Sequence, residues 1–518
     1  MTSPRWTLVA AIVGSGIVFL DSTVVNVALP SIGRDLPTAL FGVLEGQSYV
    51  YNGYLLTLSA LLILAGALND YYGRRRIFAL GLAGFAVTSV LCGLAPTMEW
   101  LILFRILQGA AGALLVPGSL ALITATFTGE EQGRAFGLWA GASGAATILG
   151  PVIGGLLVDA ISWRMAFLIN APLLAFALWA TLAHVGESRD EQASGAFDWL
   201  GAFVIAVAVG GLAFGAIYGQ QRAWRDPLAF VVLPVGALAT VAFPVLMARS
   251  PNPLVPPHLF RSRNFTVTNL STFLIYGALY VTFYYAPLFM QGTLGYTAAA
   301  VGLSTMPATL FLVFLSPRFG ALAGRYGPRW FMAIGPAIMA AGVLWLARVP
   351  GHSDGWVLGP TDLASLIPPA GYLVDFFPGF VVFGLGVCIM VAPLTTCLMT
   401  SVPARHSGVA SAINNAVSRI GPQLAGALIF VAITASFYAG LGARVPGLDV
   451  TSPRLRGQIA PLNRPAAGVP ADQVAAARSA STDAFHLAML IGAGLLAAGA
   501  VVNAVGIANP PRRPPTST

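Results

Sequence analysis

The chain has 518 residues, of which 57% are hydrophobic and 9% charged, with a mean hydropathy of +0.78. A water-soluble core cannot hide that much apolar surface, so the composition excludes an ordinary soluble protein and points to a polytopic membrane protein. The net charge of +8 comes from 27 basic residues, all arginine, scattered over short links between apolar runs; this excludes a nucleic-acid patch, and the lack of lysine excludes Schiff-base chemistry.

Crossing about 30 Å of hydrocarbon takes roughly 17 to 25 apolar residues. Fourteen helices are predicted on that measure, near 6–29, 46–65, 77–95, 99–125, 133–157, 165–184, 200–219, 228–247, 265–289, 299–317, 331–347, 377–400, 408–436 and 484–508. The first is long and carries polar residues, so it is expected to be a retained helix and not a signal peptide. The links on one side hold fifteen arginines, the other short links hold five, and five more lie in the long link near 440–483. By the positive-inside rule both termini are expected in the cytoplasm. The links near 348–376 and 440–483 are rich in Gly, Pro and Ala and read as surface loops, with a short helix expected at Ala471–Arg478.

Helix 1 contains Leu20-Asp21-Ser-Thr-Val-Val-Asn26-Val-Ala-Leu-Pro30. A carboxylate near mid-membrane costs about 2.5 to 3.5 kcal/mol, so Asp21 needs a wet cavity or a partner. Two roles remain open at this level: a proton-coupling or substrate-cation site, or a structural hydrogen bond to a neighbouring helix. The link after helix 2 carries Gly66-Ala-Leu-Asn-Asp70-Tyr-Tyr-Gly73-Arg74, and an eroded copy, Gly320-Ala-Leu-Ala-Gly324-Arg325-Tyr-Gly327, follows helix 10. In helix 4, Arg105 and Gln108 are one turn apart; the guanidinium either biases a nearby carboxylate or snorkels to the surface.

Helix 5 holds glycines four apart and ends in Gly150-Pro151-Val-Ile-Gly154-Gly155, which reads as a hinged, closely packed helix between bundles, or as packing alone. A second copy of this cluster, Gly421-Pro422-Gln-Leu-Ala425-Gly426, lies in helix 13. Both repeat pairs shift by eight helices, so a six-helix unit is duplicated around two inserted helices. The domains expected are 1–185, a two-helix insertion at 186–264, 265–508, and a cytoplasmic tail at 509–518.

In helix 9 Phe273, Tyr276, Tyr280 and Tyr284 form a stripe that either stacks flat substrates or serves packing and an interfacial belt. In helix 13 Asn414, Asn415 and Arg419 interrupt an apolar run; Asn415 and Arg419 share a face, and the three imply a polar cavity or an inter-bundle contact. The five histidines show no ligand spacing, the three cysteines lie in apolar runs, and no phosphate-cradling loop is present. Neither cofactor nor metal is expected, and transport energy must come from a gradient.

Taken together, the helix-1 signature, the Gly66 to Arg76 loop, the helix-4 segment around Arg105, the Gly150 to Gly155 cluster, the Ser162 to Pro172 segment and the Asn414 to Arg419 stretch resemble the major facilitator superfamily, in its fourteen-helix drug:proton antiporter branch. The resemblance implies the major facilitator fold: an all-α membrane protein of two six-helix bundles around a central cavity, plus two inserted helices. It further implies alternating access and export of hydrophobic or amphipathic compounds against protons. Asp21 would then be a coupling or cation-recognition acid, Arg105 its proton-relay partner, and Asp70 with Arg74 a cytoplasmic gate. The Gly150 cluster is associated with exporters. Two departures stand out: Tyr71 replaces the family's arginine, with Arg325 a candidate to supply that charge, and helix 10 lacks an acid, which favours neutral or monovalent amphipathic substrates. The expectation is a monomeric, non-enzymatic, proton-coupled exporter in a bacterial inner membrane; an uptake symporter or a lipid-handling protein are the alternatives.

Overall fold

The computed structural model describes residues 3–40, 43–189, 196–221, 226–359 and 363–509. Among the described residues fourteen rods follow in chain order: α1 (Pro4–Asp35), α2 (Val43–Tyr72), α3 (Arg74–Gly93), α4 (Met98–Thr126), α5 (Gly129–Ala160), α6 (Met165–His184), α7 (Trp199–Gln221), α8 (Pro227–Arg249), α9 (Arg263–Gly292), α10 (Ala298–Tyr326), α11 (Arg329–Leu346), α12 (Tyr372–Thr400), α13 (Ala404–Arg444) and α14 (Ala471–Gly506). Thirteen of them contain helices long and apolar enough to cross a membrane. The fourteenth, α5, has 32 residues. The tail expected at 509–518 lies almost wholly outside the described residues.

Each predicted segment coincides with one rod, and the differences have local causes. Prolines without an N–H leave the carbonyl four residues back unpaired. Pro117, Pro172 and Pro307 do this to Ala113, Leu168 and Leu303, and α4, α6 and α10 break at Leu114, Ile169 and Thr305. In α12 Pro378 frees the carbonyl of Val374, a π-helical turn forms over Tyr372–Phe376, and the Trp345 indole donates to that carbonyl at 3.3 Å. The loop expected near 440–483 is shorter than its composition suggests. α13 runs on to Arg444, Pro453–Gln458 forms a short helix, and Ala471–Arg478 is no separate helix but the opening of α14.

Helices α1–α6 pack as one bundle and α9–α14 as the other, while α7 and α8 pair and lean on α2 and α13. One buried apolar core fills the first bundle and continues across the seam onto Val409, Ala412 and Ile413 of α13 and onto the inserted pair, and a second fills the other bundle. The inserted pair is fastened at its base by Asp198, which accepts hydrogen bonds from Gly201 N and Leu254 N at 2.8 and 3.1 Å. Tyr71 packs edge-on against Phe197 of the same linker, with centroids 5.5 Å apart.

The bundles meet mainly along α2 with α13 and α5 with α10. At the first seam the backbones of Gly66 and Gly408 touch, and at the second those of Gly133 and Gly320 do; a Cβ on any of the four would collide with main chain. Gly66 and Gly320 are equivalent positions of the duplicated loop, so the repeat places one close backbone crossing at each seam. Both crossings lie toward the face that carries the two termini.

A branched side chain at such a crossing must push the bundles apart. The expected outcome for Gly66→Val is labelling of a reporter, Asn415→Cys, by a membrane-impermeant maleimide supplied from the terminus-bearing face, in a background without Cys92, Cys388 and Cys397. The same reporter without Gly66→Val is expected to stay unlabelled from that side.

Candidate functional site

Asp21 and Ser22 are neighbours on α1, yet a helix turns about 100° per residue, and the two side chains go to different places. Asp21 points into its own bundle and is fully buried. Its carboxylate accepts from Arg105 Nη1 at 2.5 Å, Asn170 Nδ2 at 3.0 Å and Gln108 Nε2 at 3.3 Å. Arg105 also donates to Gln108 Oε1 at 2.7 Å and to the carbonyl of Val50 at 3.2 Å, and its guanidinium lies 4.0 Å from the centroid of the Tyr54 ring. Ser89 joins by accepting from Gln108 and Asn170 at 3.2 and 3.1 Å. A charged pair taken out of water needs this many partners to be tolerated.

The second polar site is the seam of α2 and α13. Asp70 is 5% exposed and receives Arg74 Nη2 at 3.0 Å from its own loop. Its two oxygens also accept Gly408 N at 3.1 Å and Val409 N at 2.9 Å from the opposite bundle. The first turn of α13 has no side-chain cap from its own chain segment, so Asp70 caps it from across the seam, where the helix dipole favours an anion. Arg74 donates to the carbonyl of Ala404 as well.

Between the bundles lies a cavity of about 690 Å³, within the range that takes a drug-sized ligand. One wall is Val18, Phe19 and Ser22 of α1 with Trp139 and Thr147 of α5; the other includes Tyr276 and Phe283 of α9, Leu312 of α10, and Asn415, Ser418 and Arg419 of α13. Most of this lining is apolar or aromatic. Its one charged group among the described residues is Arg419.

The sequence-level candidates therefore fall into separate groups. Asp21, Arg105 and Gln108 form the buried node, and Arg105 does not snorkel. Asp70 and Arg74 form the seam contact together with Gly66, while Gly73, at φ +110°, makes the sharp turn between α2 and α3. Arg325 is not the missing charge: it lies over the ring of Tyr326, and Gly324 beside it presses on the backbone of Gly129 and Glu130. Asn415 and Arg419 face the cavity, whereas Asn414 turns away and donates to Asn269 and Thr272 of α9. Asn26 lies on the exposed side of α1, apart from both. The Gly150 cluster does not sit between the bundles. α5 meets α10 from Gly133 to Gly144, after which Gly150 and Gly154 pack on Leu20, Thr23 and Val24 of α1, and Gly155 beside them faces Val27. The helix continues through Pro151, whose side chain lies outside the described residues. Of the helix-9 stripe, Tyr276 reaches the cavity, while Tyr280 stacks on Tyr284 at 5.3 Å. Ser89, Asn170 and Tyr54 were not singled out by sequence reasoning. Asn170 stands in the Ser162 to Pro172 segment, where a polar side chain within an apolar run was the available signal.

The profile of the Major Facilitator Superfamily matches residues 11–426. The chain belongs to this superfamily. Relatives within it include the multidrug resistance protein Stp of Mycobacterium tuberculosis (strain CDC 1551 / Oshkosh), 34% identical over 82% of this chain and 74% of the relative. The tetracenomycin C resistance and export protein of Streptomyces glaucescens is 33% identical over 83% of this chain and 76% of its own. Among solved structures, the human organic anion transporter MFSD10 (TETRAN) superposes with a TM-score of 0.57 at 14% identity, covering 96% of this chain and all of the other; this shows a common fold. Major facilitator proteins move small molecules across membranes, and the two-bundle architecture with a central cavity is theirs.

Removing one member of the buried pair strands the other's charge, at a cost of about 3–5 kcal/mol. Asp21→Asn and Arg105→Gln are each expected to lower the thermal midpoint of the detergent-solubilised protein markedly. The double variant, with no buried charge left, is expected to recover much of the loss, as read by scanning fluorimetry.

Proposed function

We propose that this protein is a proton-driven exporter of hydrophobic and amphipathic small molecules, working by alternating access as a monomer in a bacterial cytoplasmic membrane, with both termini in the cytoplasm. The observation that carries this reading is the drug-sized, largely apolar cavity between two bundles that are pinned together on the terminus-bearing face by Asp70 and by the two glycine crossings. A cavity sealed on the arginine-rich side corresponds to the outward-facing half of the cycle. Export as the direction draws on relatives named for resistance and export.

Arginine cannot give up its proton at physiological pH, so the proton acceptor in the node is Asp21. Protonation of Asp21 removes the charge that neutralises Arg105, and a buried unpaired guanidinium forces the helices around it to rearrange. The node lies behind the cavity wall: Asp21 is followed on α1 by the cavity-lining Ser22, and the Arg105 guanidinium lies 4.0 Å from the centroid of the Tyr54 ring. Proton and substrate thus occupy different places and compete through the conformation of α1, α2 and α4. If the exchange is electrogenic, each charge moved adds about 2.3 kcal/mol per 100 mV.

Everted vesicles with an acidified interior test this. The wild type is expected to accumulate a lipophilic fluorescent substrate in them, with the accumulation collapsing on addition of a protonophore. The Asp21→Asn/Arg105→Gln double variant is expected to lose proton-driven accumulation while still exchanging labelled for unlabelled substrate. Accumulation in right-side-out vesicles with the proton moving in the same direction would instead establish the uptake symporter.

A further inference from the structure

We propose that the central cavity takes amphipathic organic anions and that Arg419 holds their carboxylate or equivalent acidic group. This rests on the transporter reading above, since it names the cargo of that same cavity.

Three observations carry it. First, the guanidinium is uncommitted: among the described residues the partly buried Arg419 makes no hydrogen bond or ion pair, whereas the two buried arginines, Arg74 at the seam and Arg105 in the node, are both paired with acids. Second, no acidic side chain is among the residues lining the cavity, so the positive charge there has no counter-charge from the protein. Third, much of the remaining hydrogen-bonding capacity of the wall is already spent. The hydroxyls of Ser22, Thr147 and Ser418 donate back to carbonyls of their own helices at 2.8 to 2.9 Å, and the Trp139 indole donates to Ser15 at 2.7 Å. The hydroxyl of Ser143 stays unpaired, and the one charged donor the wall offers among the described residues is the planar five-donor fork of Arg419.

That fork matches a carboxylate bidentately. The apolar and aromatic groups around it, Phe19, Leu312 and Phe283 among them, suit a flat hydrophobic body on the same ligand. A cationic amphiphile would instead bring a second positive charge beside the first in a low-dielectric pocket. The selectivity follows from charge: the acid binds best, its uncharged isostere less well, and the matching amine worst.

The test measures binding to purified protein in phosphatidylcholine nanodiscs, without any gradient, so it does not depend on coupling. The probes are 9-anthracenecarboxylate, its carboxamide and 9-(aminomethyl)anthracene, followed by fluorescence anisotropy. The wild type is expected to bind the carboxylate at least about 10-fold more tightly than the carboxamide, the size of one charge-assisted hydrogen bond. Arg419→Gln is expected to erase that preference, and Arg419→Lys to keep part of it. Because Arg419 makes no hydrogen bond or ion pair among the described residues, both variants are expected to melt with the wild type, which separates lost recognition from lost structure. Equal binding of acid and amide, tighter binding of the amine, no binding of the acid, or a preference that survives Arg419→Gln each overturns the anion site. None of these outcomes touches the exporter reading, which falls only on the vesicle measurements.

Discussion

Asp70 supplies, from one bundle, the cap that the first turn of α13 in the other bundle lacks. Two amides of Gly408 and Val409 point at one carboxylate, which is held in turn by Arg74. The contact adds a polar, directional and breakable link to a seam otherwise made of close glycine backbone crossings and apolar side chains such as Ala412. Apolar contacts between helices gain little in a bilayer, because lipid tails are as apolar as the side chains they replace. A seam that must open in each cycle is well served by close backbone packing plus a few hydrogen bonds, which water and headgroups can satisfy once the helices part.

The duplicated loop has been used unequally for a physical reason. At the α2–α13 seam Asp70 has free amides to cap and space to reach them. At the α10–α5 seam the equivalent position is Gly324, which presses on the backbone of Gly129 and Glu130. A side chain would not fit there, and a carboxylate would meet Glu130 and Glu131 in the first turn of α5. Tyr71, where the family's loop carries arginine, is occupied otherwise: it packs on Phe197 and anchors the linker to the two inserted helices.

Charge is partitioned across the molecule in the same economical way. The node inside the first bundle is neutral as a pair, with three side chains donating to its carboxylate, the seam is neutral as a pair and shared between bundles, and of the three sites the cavity keeps a guanidinium with no acid beside it. The first two arrangements hold structure in a defined state. The third leaves its interaction energy for something that enters from outside.

Much of this was legible in the chain itself. Apolar run length predicted fourteen helices because the bilayer sets the length, thirteen of them long and apolar enough to cross it, and the eight-helix shift of two repeated clusters pointed to a division into six, two and six. The i, i+4 spacing of Asn415 with Arg419 put that pair on one face. What only the tertiary structure decided is which neighbour each polar side chain meets. Asp21 and Ser22 are one residue apart, and helix rotation alone sends the first to a buried arginine and the second to the cavity. Asn414 and Asn415 part in the same manner. The Gly150 cluster reads as an inter-bundle hinge until α5 is seen to leave α10 after Gly144 and settle on α1. Sequence periodicity assigns a face to each residue; the element that occupies that face is set by how all fourteen helices pack together.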